Sequence, residues 1–182
     1  MLPKRLSVKF FAKNPEVVST EAFIPVFQNW IQRRSVPGLL IDVADYSHVP
    51  QGPGILIIAH EGDYAYDFRD GRPGMVYISK RPAVQTLNEL LEHAFTSVLA
   101  AVNLVEKDNR LNGLTFDLSH AEISFVDRLN TPNTAETFLA LQSQIDLPLT
   151  RVENDPRACL TVTAQSSDFN TWIERLKVVE SL

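Results

Sequence analysis

The chain has 182 residues, of which 45% are hydrophobic and 21% charged, a composition that fits a single folded domain over residues 1–182 and excludes a disordered chain. Its formal net charge is −5, and its longest basic runs are pairs such as Arg33-Arg34 and Lys80-Arg81, which argues against a nucleic-acid or anionic-membrane partner. No stretch approaches the length of a membrane span, and the N-terminal apolar run is too short for a secretory signal. A soluble, bacterial-type cytoplasmic protein is expected.

Leu6 to Ala12 alternates as a strand does. Ser19 is a credible helix N-cap, followed by Phe23, Ile24, Phe27, Trp30 and Ile31 at helical spacing. Pro25 predicts either a kink there or a later start. Leu39 to Val43 reads as a short buried strand, 44–53 as a loop, and Gly54 to Ala59 (GILIIA) as a central strand. Tyr64–Arg69 and Gly74–Ser79 make a hairpin around Asp70-Gly71, a dipeptide suited to a type I′ turn. Pro82 opens the longest helix, about Val84 to Glu106, whose apolar stripe runs from Leu87 to Val102. Leu114–Leu118 and Glu122–Asp127 read as two strands around Ser119-His120. A helix over 134–145, a loop over 146–157 with an edge strand, a strand over 158–164 and a closing helix over 168–178 complete the chain. Cys159, the single cysteine, lies in an apolar strand pattern and reads as a buried, inert thiol.

The two ends of the chain echo one another. An offset of 115 sets Val8 on Ile123, Phe10 on Phe125, Ser19 on Thr134 and Phe23 on Phe138; an offset of 105 sets Ile55 on Leu160 and Asp63 on Asp168. Shared binary patterning of two strand-helix units explains this as readily as duplication of halves at about 1–110 and 111–182. On either reading, the first half holds an excess between its helix and its buried strand.

The excess falls in the chemically richest stretch, 42–81. It contains two of the four histidines, His48 and His60, all four tyrosines, and Asp42, Asp45, Glu61 and Asp63. If the 44–53 loop folds towards His60, these groups build one polar site: His60 as base, Glu61 or Asp63 as its orienting carboxylate, Asp42, Asp45, Tyr46 and His48 as ligand-binding groups, and Arg72 or Lys80 holding an anion. Histidine beside carboxylates also suits a divalent metal, though the spacing matches no metal signature, and no cofactor fingerprint is present. A lone histidine after an apolar strand is more often a hydrogen-bonded structural residue. Tyr64, Tyr66 and Phe68 share a strand face with Tyr77 on the partner strand; that face reads as core, or as a homodimer surface if exposed. His93 and His120 read as surface residues.

Asp42-Val43-Ala44-Asp45-Tyr46, His48-Val49-Pro50, Gly52-Pro53-Gly54, His60-Glu61, Asp63-Tyr64, Gly71-Arg72 and Gly74 together resemble the central block of a family of small uncharacterised bacterial proteins. The resemblance covers roughly the first half of the chain and implies no activity.

The expected fold is α+β: a mixed, mainly antiparallel sheet of seven or eight strands with about four helices, an arrangement that two ferredoxin-like halves would satisfy. Two functional classes stay open. One is a small-ligand-binding or homodimeric assembly protein using the 42–81 block, with a small polar molecule as partner. The other is a small hydrolase or lyase, metal-dependent or not, with a His/carboxylate site.

Overall fold

A computed structural model describes residues 3, 5–81, 83–153, 155 and 159–180. Eight strands form one sheet: β1 (Leu6–Ala12), β2 (Leu40–Tyr46), β3 (Gly54–Ala59), β4 (Gly62–Asp67), β5 (Gly74–Ser79), β6 (Phe116–Phe125), β7 (Leu149–Val152) and β8 (Leu160–Ala164). Their order is β2-β3-β4-β5-β1-β6-β8-β7, and every pairing is antiparallel. With α1 (Phe23–Arg33), α2 (Leu87–Lys107), α3 (Ala135–Gln142) and α4 (Ser167–Glu180), the fold is α+β, its sheet antiparallel throughout rather than mixed.

Alternation along the strands sorts the two faces. Leu6, Val8 and Phe10 of β1, Tyr64 and Tyr66 of β4, Met75 and Tyr77 of β5, and Ile123 and Phe125 of β6 enter one core with the apolar stripes of the helices. Phe23 of α1 stacks on Tyr66 with centroids 4.0 Å apart, and Phe95 of α2 meets Phe10 and Trp172 edge-on. The tyrosine face is therefore core, not a dimer surface. The opposite face carries a small apolar cluster of Leu56, Ala65 and Val76. Beside it lies the buried Lys9, whose Nζ is 3.5 Å from Asp67 Oδ1.

Local chemistry accounts for the boundaries. α1 starts late, at Phe23, after a 3-10 turn over Thr20–Ala22. Pro25 then sits in the first turn, where no backbone N–H is needed by the helix, so no kink is required. Thr86 and Glu89 form a capping box that starts α2. Asp70 and Gly71 both have positive φ, and Arg72 N–H donates to Arg69 O (3.2 Å), as the type I′ reading requires, although regular pairing stops at Asp67↔Gly74. β2 runs on to Tyr46 and is an exposed edge strand, not a buried one. The two strands expected around Ser119-His120 are one, β6, whose pairing with β1 jumps from Phe10↔Ala121 to Phe11↔Asp117 and leaves Leu118–His120 bulged out. Pro82 and Ala158 lie outside the described residues.

β1 and β6 lie side by side in the interior of the sheet, and Val8 pairs directly with Ile123, the two residues that the offset of 115 superposes. By sheet position, β5 beside β1 matches β8 beside β6, and β4 matches β7. The first-half excess is therefore the whole β2–β3 hairpin, more than the ten residues by which the two offsets differ, and β3 is not the positional counterpart of β8.

Candidate functional site

The sheet divides the expected site between its two ends. His60 and Glu61 form the turn from β3 to β4, while His48 lies in the turn from β2 to β3. The six residues of β3 separate the two turns by roughly 20 Å at the usual strand rise. Arg72, in the β4–β5 connection, is likewise a strand's length from His60. Asp42 and Asp45 sit along β2, opposite Ile58 and Ile55. Of the expected groups, His60 pairs with Glu61 and Asp63 with Lys80, both at the end of the sheet that carries the β3–β4 turn.

At that end, hydrogen bonds tie the turn to its neighbours. His60 N–H donates to Leu39 O (3.0 Å), Lys80 N–H to Glu61 O (2.9 Å), and Arg81 Nη1 to His60 O (2.8 Å). Glu61 Oε2 accepts from Leu39 N–H at 2.8 Å, and that bond, first among its causes, holds the carboxyl below its ordinary range. Asp63 is buried, and its Oδ1 accepts from Ala59 N–H (3.0 Å) and from Lys80 Nζ (2.7 Å). His60 Nδ1 is 3.6 Å from Glu61 Oε1, with both side chains about half exposed. In this arrangement the carboxylates tie the strand ends to their backbone neighbours; His60 and Glu61 face water, while Asp63 is buried.

Asp45 and Asp42 serve the backbone in the same way. Asp45 Oδ1 accepts from Ser47 Oγ (2.6 Å) and Ser47 N–H (2.8 Å), which keep its pKa below the ordinary value. Asp42 Oδ1 accepts from Val43 N–H at 2.8 Å. Tyr46 and His48 are exposed. Among the described residues no group of three or more His, Cys, Asp or Glu side chains could hold a metal ion.

Two clusters escaped the sequence reading. Tyr77 Oη lies 3.2 Å from His93 Nε2, over Gly62, and burial pushes the phenol up to about 12. At the opposite end, Arg72 stacks on Phe11 at 3.7 Å and His120 packs against the same ring at 5.4 Å. The alternation of β1 carried part of this signal, because it places Phe11 on the face opposite Phe10; the bulge that brings His120 there shows in the sequence as a break in alternation at Ser119-His120, which reads equally as a turn.

No described helix is long and apolar enough to cross a membrane. Compared with family models, curated proteins and solved structures, the chain matches none.

Proposed function

We propose that the chain is a non-enzymatic assembly protein whose 42–81 block joins two copies through the β2 edge. One observation carries this reading: β2 ends the sheet, and Ile41 and Tyr46 along it are 58% and 41% exposed, with Leu39 just before it 63% exposed. An unpaired edge with large apolar side chains is a template for another strand. Pairing with β3 is regular from Asp42 to Tyr46, so this five-residue segment is free of the irregularity that precedes it.

A twofold axis through Ala44 sets Asp42 against Tyr46 and Val43 against Asp45 of the second copy. No like charges meet directly, and the small methyl of Ala44 lies on the axis. The same strand would be unfavourable in a register that faced Asp42 with Asp42, where like charges oppose. One unit, β1-α1-β4-β5-α2-β6, we read as ferredoxin-like, because it has that element order once the β2–β3 hairpin is set aside. A cytoplasmic setting suits a chain whose one cysteine allows no internal disulfide.

Light scattering coupled to size-exclusion chromatography tests the reading. The wild type should elute as a dimer that Ile41→Lys converts to monomer with an unchanged circular dichroism spectrum. A monomeric wild type at high micromolar concentration would end it.

A further inference from the structure

The richest unassigned place lies at the sheet end away from His60. The 69–73 connection, the start of the segment after β1 and the β6 bulge surround a cleft of about 280 Å³. This is just below the range of roughly 300–1,000 Å³ typical of ligand pockets, a size for a small metabolite and too small for a nucleotide coenzyme. Phe11, Pro15 and Pro73 supply apolar wall; Arg72, His120 and Asp117 supply the polar groups.

The cleft is preformed. Asp70 N–H donates to Gln51 Oε1 (3.0 Å) and Ala12 N–H to Pro73 O (2.8 Å), which fixes the connection carrying Arg72. Across the cleft, Asn14 Nδ2 donates to Gly113 O (3.0 Å) and its Oδ1 accepts from Thr115 N–H (2.9 Å). Asp117 Oδ1 accepts from Ser119 Oγ (2.6 Å) and N–H (3.0 Å), shaping the bulge that presents His120. Bulges are a common means of re-aiming a side chain beside a functional site. Ligands lose less entropy on entering walls already held in place.

Arg72 sets the ligand class. Its guanidinium carbon lies over the Phe11 ring, 3.7 Å from the centroid, and Nη1 is 3.7 Å from Glu122 Oε2. The side chain is 49% exposed, so its remaining N–H donors can be approached from the cleft, and a guanidinium fork matches a carboxylate. Asp117 in the same cleft, together with Glu122 behind the guanidinium, opposes a second negative charge. We propose that this cleft binds a small monocarboxylic acid with an apolar body, its carboxylate held by Arg72 and His120 and its body against Pro15 and Pro73.

Benzoate and inorganic phosphate titrated separately into ¹⁵N-labelled protein test the site. Benzoate should shift the Gly71 amide and Arg72 Nε–H resonances saturably at concentrations on the order of 10 mM or below, and phosphate should leave them in place. Arg72→Gln should weaken benzoate at least about tenfold, the effect of losing a charged hydrogen bond. His120→Phe, which keeps a ring against Phe11, should weaken it several-fold. No saturable shift, an equal response to phosphate, or unchanged affinity in Arg72→Gln would each overturn the assignment.

Discussion

Asp63→Ala separates a structural carboxylate from a catalytic one. Asp63 is 9% exposed and the Ala59 residue whose N–H it accepts is 1% exposed, so water does not readily replace the lost acceptor. An unsatisfied buried donor costs about 1–3 kcal/mol. Lys80, with 21% of its side chain exposed, can turn to solvent, so the lost ion pair adds no more than about 1 kcal/mol. The sum is about 3 kcal/mol, or a melting temperature lower by roughly 6–12 °C for a chain of this size. Asp63→Asn keeps an oxygen for Ala59 N–H and should cost only about 1 kcal/mol. Urea unfolding followed by circular dichroism gives both values from the midpoints at constant slope. Equal losses for the two variants, or a loss below about 0.5 kcal/mol for Asp63→Ala, would refute the reasoning.

Three other outcomes follow from the same contacts. Gly62→Ala would set a methyl against the Tyr77 hydroxyl and 2.7 Å from Ile78 O; it should cost about 3 kcal/mol and perturb the His93 ring resonances that report the Tyr77 contact. His60→Ala, which removes a half-exposed ring, should move stability by less than about 0.5 kcal/mol, and a large drop in the urea midpoint would show the ring to be structural. Burial alone would raise the Asp67 carboxyl, but hydrogen bonding from Arg69 and the charge of Lys9 outweigh it and hold the group below its ordinary value. Its contribution is therefore present above the unfolded value of about 3.9 and lost as pH falls below it. Asp67→Asn should be less stable than wild type at pH 7, with the difference shrinking below about pH 4; a difference independent of pH would contradict the assignment.

Much of the fold was legible because local signals agreed. The stripe of α2, the alternation of β1 and the Asp70-Gly71 turn each rest on one short-range rule, and each is present. Strand order is non-local: Leu39 to Val43 reads as buried from its apolar residues, although Asp42 and Asp45 are side chains an edge strand carries and β2 ends the sheet. The candidate site failed for a different reason. His48 and His60 flank a segment already readable as a strand, and a strand of six residues holds its ends roughly 20 Å apart. The separation was thus available from the strand reading itself. The partners of Asp42, Asp45, Glu61 and Asp63 were not, because each carboxylate accepts at least one hydrogen bond from a backbone N–H, and backbone donors have no signature in the sequence. The Arg72 cleft was hidden differently: the polar pair Ser119-His120 interrupts the alternation of β6 and reads as a turn, whereas the strand continues through a bulge there.

The assembly proposal is tested most directly at Ala44. Antiparallel strands place facing Cα atoms about 4.5–5.5 Å apart, inside the disulfide range of about 4.4–6.8 Å. Ala44→Cys in a Cys159→Ser background should therefore cross-link into a covalent dimer under mild oxidation at low protein concentration, while Ile58→Cys, on the neighbouring strand β3 away from the edge, should not. A covalent dimer from Ala44→Cys alone is the result the β2-edge account predicts. Failure of Ala44→Cys to cross-link, or equal cross-linking by both variants, would contradict it.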